Sequence, residues 1–341
     1  MTKQISGSIL FTGMFWRALS IRSWLLGALL IAGLCAFFYL VFVRGTESAT
    51  IQILLNRQQI IARAEANNVE SFFQVFGESI AVLAQLSSME SLGTKTLEDV
   101  ATFVDQWRES GLVGGVVLTD KNGLVQLNSN VLGTSDIGTS LADRDYFVWA
   151  KGEPKEGEYF IGQPIVSLLM ATKDQIIVPV AAPVYQNSTF VGVVSATVKL
   201  QPLTERYLKL MKVSDDLTEV YLVDQYGKLL YSPVRDAAGS DVSELLGDNI
   251  KNALDTNQEG KMRATYSDSK SGKPEDHLIA YSSISLGGQN WLLITSSTYR
   301  SVVDLTVPTQ ILQTAMLILA SLSILLFGII VARENKSQKS L

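Results

Sequence analysis

The chain holds one histidine, His277, and one cysteine, Cys35, and those two residues bound its chemistry. A Ser-His-Asp machine would have to use His277, which opens an ordinary strand pattern, and no Gly-x-Ser-x-Gly elbow accompanies it. A structural zinc centre usually draws four ligands from Cys and His, and only two are available. A single cysteine forms no disulfide within the chain, and Cys35 lies in an apolar run where a thiol behaves as a small apolar group. Neither a Gly-rich phosphate loop nor the acid spacing of a calcium loop occurs. Asn187-Ser188-Thr189 matches a glycosylation acceptor, and the same residues suit a plain turn. The expectation is a protein that binds rather than catalyses, with no cofactor and no metal.

Of 341 residues, 47% are hydrophobic and 18% are charged, which excludes intrinsic disorder. Much of the apolar excess sits near the two ends. Trp24 to Val43 contains no charged side chain, and its 20 residues match the thickness of a hydrocarbon core at about 1.5 Å rise per residue. Leu305 to Ala332 is likewise uncharged, and a long buried core helix is the competing explanation for both runs. A cleaved signal peptide fits the first run less well, because the run is long and no clear Ala-x-Ala site follows.

Orientation follows from the flanks. Lys3, Arg17 and Arg22 precede the first run without any acid, and Arg333, Lys336 and Lys339 follow the second against Glu334 alone. Basic flanks stay inside, so both termini are expected to be cytoplasmic. Taking these ends away from 28 basic and 33 acidic residues leaves 22 and 32 in the region outside, a net of -10. Such a surface gives no reason to expect nucleic acid as a partner. Ile9 to Ser20 could lie along the inner membrane surface as an amphipathic helix, or simply extend the first span.

Within the external region, residues 44–304, the stretch from Ser48 to Ser88 has no Pro and one Gly, Gly77. Val69, Phe73, Phe76, Ile80 and Leu83 recur at alternating spacings of four and three, which predicts one long stalk helix with an apolar seam. That seam could pair with a second copy or pack on its own domain. A second helix follows at about Thr96 to Ser110. Two apolar runs then flank Asp120-Lys121-Asn122-Gly123, and the same design returns around Asp224-Gln225-Tyr226-Gly227, 104 residues later. Each hairpin is followed by a further strand pair: Gln175 to Ala182 with Phe190 to Leu200, then His277 to Ser285 with Trp291 to Ser297. One duplicated antiparallel sheet unit is the economical explanation.

These features resemble the double Cache sensor family. The resemblance is carried by the long helix between two spans, by DRDYF at Asp143 to Phe147, and by IIVPVAAPVYQNSTFVGVVSATVKL at Ile176 to Leu200. LVDQYGKLLYSP and the later GGQNWLLI carry it for the second unit, so that about residues 45–300 are covered. It implies an α+β fold: a long N-terminal stalk helix (46–90) and two tandem PAS-like antiparallel-sheet units, flanked by two transmembrane helices (24–43 and 305–332). The membrane-distal unit would span about 96–205 and the membrane-proximal unit about 213–300, with cytoplasmic ends at 1–23 and 333–341. Such domains are similar to the ectodomains of bacterial chemoreceptors, sensor kinases and cyclic-dinucleotide enzymes. The distal unit usually holds a small organic ligand, and signals pass through the proximal unit to the second span.

An amino-acid-binding subset of that family uses a Tyr five residues before an Arg, two aromatics after it, and an Asp in the later strand. Arg144, Tyr146 and Phe147 match the Arg and the aromatics, whereas Thr139 and Thr197 stand where the Tyr and Asp would be. Arg offers a planar fork to a carboxylate, and the missing Asp would have neutralised an ammonium group. The resemblance therefore implies a carboxylate, another anion or a polar neutral metabolite as ligand. Trp149 and Tyr159 flank the same loop and are further candidates, while Ser195 and Thr197 share one strand face by alternation. Each has a plain alternative: Arg144 could bond Asp143, Asp145 or loop carbonyls, the aromatics could be core, and Ser195 and Thr197 could face solvent.

The expectation is a two-pass sensor of the bacterial inner membrane, homodimeric through its stalk and spans. Only nine residues follow the second span, so output would need a separate cytoplasmic protein or a further C-terminal domain. The alternative is a non-signalling accessory or scaffold protein whose ectodomain binds another protein. An open cavity containing Arg144 would favour sensing, and a collapsed one would favour the scaffold.

Overall fold

The computed structural model describes residues 21–90, 92–208, 212–213, 216–233, 239–246, 250, 252, 254, 259–267 and 274–337. The amphipathic helix expected at Ile9 to Ser20 lies outside them. The chain divides into two compact units: one is built from the two ends, up to Leu54 and from Arg300, and the other is Leu55–Tyr299.

The first helix, α1 (Ile21–Ala84), runs through the first apolar segment and the expected stalk without a break. A Pro-free sequence with good helix formers permits that length. Regular α-helix ends at Ala84 rather than near 90, and Ser87–Glu90 forms a 3-10 turn. In the end-built unit, the apolar windows of α1 and of the last helix are wholly unburied. Leu29, Phe37, Leu319 and Leu326 are each about 60% exposed or more, so a buried core helix does not account for either run. There Tyr39 and Thr314 share a hydrogen bond of 2.9 Å between their hydroxyls.

In the larger unit, α2 (Thr94–Arg108) leads into β1 (Val113–Asp120) and β2 (Val125–Asn130). After the short helix α3 (Asp145–Lys151) come β3 (Phe160–Ile161), β4 (Ile165–Val166), β5 (Ile176–Gln186) and β6 (Thr189–Lys199). Helix α4 (Leu200–Tyr207) and the small ribbon of β7 (Lys212–Val213) and β8 (Asp216–Leu217) connect to the second sheet. That sheet comprises β9 (Glu219–Val223), β10 (Leu229–Tyr231), β11 (Gly260–Ser267), β12 (Pro274–Leu286) and β13 (Gln289–Thr298), with α5 (Val242–Leu246) beside it. The last helix is α6 (Arg300–Ser337).

The strand orders are β2-β1-β6-β5-β3 and β10-β9-β13-β12-β11, all pairs antiparallel, so the two sheets repeat one topology. The repeat extends to single hydrogen bonds. Asp120 Oδ1 accepts the N–H groups of Asn122 and Leu124, and Asp224 Oδ1 accepts those of Tyr226 and Lys228. Gly123 and Gly227 close these turns with φ of 83° and 85°, a region glycine enters without strain. Asn187 and Ser188 both have positive φ and join β5 to β6, the primed turn that suits a two-residue hairpin.

Helix α1 lies against one face of both sheets. Phe73, Phe76 and Ile80 share a core with Val194, Ala196 and Val198 of β6, and with Trp291 and Leu293 of β13. The opposite face of each sheet has its own covering. In the C-terminal sheet, Tyr221, Leu292 and Ile294 pack on Val242 and Leu246 of α5. In the N-terminal sheet, α3 and the segment 163–175 lie over it, and there the filling is partly polar.

Candidate ligand-binding site

The alternation of β6 decides which side chains face that covering. Val194, Ala196 and Val198 enter the α1 core, so Ser195 and Thr197 point the other way, and both are buried. Helix α3 begins at Asp145 with Arg144 as its extended N-cap, which sends Arg144 and Tyr146 toward the same face. The four side chains meet at one cavity, closed by Leu141, by Ile165 of β4 and by Ser167, Leu168 and Leu169 of the overlying loop, with Ile177 and Pro179 of β5 as its floor. Its volume is about 10 Å³, the space of roughly one water molecule.

Arg144 is the charged group here, with its side chain 19% exposed. Among the described residues its ion-pair partner is Asp143, at 3.9 Å and largely exposed, a distance too long for a hydrogen bond. The guanidinium is therefore only loosely engaged. Burial pushes the Tyr146 phenol well above its ordinary value of 10.0, with the Ser195 hydrogen bond and the Arg144 charge pulling the other way. It stays protonated at neutral pH and remains a hydrogen-bond donor. Thr197 Oγ1 reaches Gly115 O at 3.4 Å, a long contact that leaves the hydroxyl available to a ligand.

The other three candidates lie elsewhere. Phe147 is core, packed edge-on to Phe190 at 6.3 Å, because on a short helix it follows Tyr146 onto a neighbouring face. Trp149 stacks on Phe160 at 5.3 Å, and Tyr159 packs over Gly77 of α1. None of these three lines the Arg144 cavity.

Several residues of the site carry no signal in the sequence reading. Ser167 shares a 2.7 Å hydrogen bond with Thr172 and caps the Leu169 N–H at 3.2 Å, which folds the loop over the sheet. Asp136 is 5% exposed and its Oδ1 accepts the Met170 N–H at 2.8 Å, pinning the same loop from the far side. Asp136 borders a second small cavity with Asn128 and Asn130 and does not line that of Arg144. Gly114 allows the loop to close, because a methyl group there would overlap Thr172 and crowd Thr197 Oγ1. A glycine pair inside a strand, Gly114-Gly115, was the visible hint of a close approach.

Beside the C-terminal sheet lies a wider opening between α1 and β12, lined by Arg63, Glu70, Glu259, Ser282 and Ser285, on a different face from the Arg144 cavity of the first sheet. Val117 pairs with Ser195 in the first sheet, and Tyr221 pairs with Ile294 at the matching register of the second. An apolar side chain thus stands where Ser195 does. His277 is 1% exposed, with its ring stacked on Tyr266 at 3.8 Å and Nδ1 3.2 Å from Ser296 Oγ. No substrate reaches an imidazole so enclosed.

A duplicated antiparallel sheet unit behind one long helix, with a polar buried cavity over the first sheet, is a tandem PAS-like architecture. The sequence profile described as the Cache domain matches residues 45–304, and the chain belongs to that family in its double form. Solved structures agree in fold. A sensory box/GGDEF family protein domain from Vibrio parahaemolyticus is 17% identical at a TM-score of 0.56, covering 76% of this chain and 99% of that one. The ligand-binding domain of the Pseudomonas aeruginosa PAO1 chemoreceptor PctB, in complex with L-Arg, is 18% identical at 0.53, covering 72% and 96%. The sensory domain of the Campylobacter jejuni chemoreceptor Tlp3 with isoleucine bound is 16% identical at 0.54, covering 75% and 97%. The chain spans 40% of an extracellular ligand binding receptor from Desulfohalobium retbaense that it also matches. No curated protein sequence matches it. Two candidate membrane-spanning helices flank the Cache domain.

Proposed function

We propose that the protein is a two-pass sensor of the bacterial inner membrane, with both termini cytoplasmic and residues 44–304 outside. The observation that carries this reading is the convergence of a loosely engaged Arg144 with Tyr146, Ser195 and Thr197 on one buried face. The expected ligand is a small organic anion, a carboxylate above all. Arg144 would hold it through a forked, charge-assisted pair, while the Tyr146 and Thr197 hydroxyls set its orientation. PctB and Tlp3 are described with amino acids bound, but this cavity presents Thr197 and no carboxylate to an ammonium group.

Ligand pockets usually measure about 300 Å³ or more, so a ligand larger than a water molecule needs the 10 Å³ cavity to widen. Entry requires the loop bearing Ser167 and Leu168 to lift. A ligand that favours the lifted arrangement shifts the population between two states. The signal would then run through the proximal unit (about 213–300) to the second span (305–332). Its output is a separate cytoplasmic protein or a further domain of a longer receptor, of the chemotaxis or cyclic-di-GMP type. The working unit is a homodimer along α1, where Val75 and Val82 stand 56% and 62% exposed seven residues apart.

Isothermal calorimetry on the full chain in lipid nanodiscs, with a panel of organic acids and amino acids, tests this. Binding of an organic acid that Arg144→Ala abolishes supports the reading, and tight binding of an amino acid overturns the anion preference. A scaffold role is the second reading. It is favoured by the nearly filled cavity and by exposed Leu132, Ile137, Leu168 and Met170 on the loops above. Silence across the whole panel, with Arg144→Ala leaving the protein's biological effect unchanged, would favour it.

A further inference from the structure

One peptide group stands between the Arg144 site and the C-terminal sheet. The N–H of Gln163 donates to Asp145 Oδ2 at 3.3 Å, and the carbonyl of Gly162 accepts from Gln289 Nε2 at 2.8 Å. These are the two ends of the same Gly162–Gln163 amide. Asp145 lies between Arg144 and Tyr146 in the chain, so its end of the amide is tied to the site. Gly162 also donates its own N–H to Pro179 O at 2.8 Å, and Pro179 floors the cavity. The contact leaves no spare room, since a methyl group at Gly162 would overlap Pro179 and press on Asp145.

The other end leads into the second sheet. Gln289 is 3% exposed and also donates to Ile161 O at 2.8 Å. Its Oε1 accepts the Trp291 indole N–H at 3.1 Å. The orientation of this amide is forced, because two carbonyls only accept and an indole only donates. Trp291 is buried and meets Phe73 of α1 edge-on at 5.6 Å. From Asp145 to α1 the path is thus a chain of oriented hydrogen bonds ending in a packed aromatic pair. A hydrogen bond on one side of an amide polarises the bond on the other.

We propose that Gln289 is the positioning residue that transmits the state of the Arg144 cavity to the C-terminal sheet and α1. Displacement of Asp145 on ligand entry withdraws the acceptor from Gln163 N–H, reorients the Gly162–Gln163 amide, and loosens the Gln289 clamp on Trp291. This rests on the sensor reading above, so the test uses no ligand and can succeed or fail independently of it.

Hydrogen exchange of the full chain in nanodiscs, read at the Leu292 to Ile294 amides, forms a double-mutant cycle between Asp145→Ala and Gln289→Met. Asp145→Ala is expected to speed exchange there about tenfold in the wild-type background and less than twofold beside Gln289→Met. An equal effect in both backgrounds, or no effect of Asp145→Ala on β13, overturns the proposal. Should Gln289→Met fail to fold, fluorine NMR of 5-fluorotryptophan protein replaces the cycle. A shift of the Trp291 resonance on Asp145→Ala then supports the coupling, and an unmoved resonance overturns it. Coupling in this cycle together with silence of the calorimetric panel would leave the wiring intact and count against the sensor reading alone.

Discussion

Gly77 of α1 lies directly beneath the ring of Tyr159, and a methyl group at Gly77 would overlap three atoms of that ring. A glycine inside a helix costs about 1 kcal/mol relative to alanine, so helix stability alone argues against it. The close approach explains its presence. It also explains why Tyr159, a candidate for the cavity wall, faces α1 instead.

Gly77→Ala is therefore expected to destabilise the protein by about 1–2 kcal/mol, the overpacking outweighing the helix propensity gained. Chemical denaturation of the wild type and the variant measures it. A more stable variant would mean that the Tyr159 ring swings aside without cost.

Phe73 touches Trp291 and holds α1 to the C-terminal sheet from within the main core. Phe73→Ala should cost about 3–5 kcal/mol, a buried aromatic being lost together with its partner's packing. Lys121→Ala, exposed in the first hairpin turn, should stay within about 0.5 kcal/mol.

Thr197→Asp would place a carboxylate on the site face of β6, close to Arg144. Calorimetry on this variant should show organic acids bound at least tenfold more weakly, through like-charge repulsion. A zwitterionic amino acid should gain by comparison, its ammonium group finding the new acid. Unchanged preference would place the ligand's anionic group away from Thr197.

The Tyr146 phenol titrates above its ordinary 10.0 because it is buried in the native state. A raised value means that the folded state holds the proton longer than the unfolded one. Its contribution to stability is then full below pH 10 and falls as pH rises beyond it, with a slope of up to about 1.4 kcal/mol per pH unit for one proton. Denaturation midpoints between pH 9 and 11 should fall less steeply in Tyr146→Phe than in the wild type. At neutral pH that variant should lose about 1 kcal/mol, since Ser195 loses its partner.

Cys35 is the chain's single cysteine, so Cys35→Ala gives a clean background for cross-linking. In it, Val82→Cys should form a disulfide between two copies in membranes if α1 pairs with itself, because bridged cysteines need Cα atoms within about 7 Å. A control at Leu132→Cys, exposed on a loop of the first sheet, should stay monomeric on a non-reducing gel.

The sequence by itself determined the periodic features. Unbroken apolar runs, a helix stripe at spacings of four and three, and Asp-x-x-Gly hairpin turns 104 residues apart are local signals, and each is read by nearest neighbours along the chain. They sufficed for the long helix, the duplicated sheet and the sharing of one face by Ser195 and Thr197. What only the tertiary structure decided are contacts between segments far apart. The loop of Ser167 and Leu169 folds back over β6, Asp136 pins it from another loop, and Gln289 grips a peptide 127 residues earlier in the chain. Trp149 and Tyr159 shared a loop with Arg144 yet turned to Phe160 and Gly77, because a short helix and its flanks point side chains in several directions. Periodicity fixes which face a residue occupies, whereas close packing with distant elements selects what that face meets.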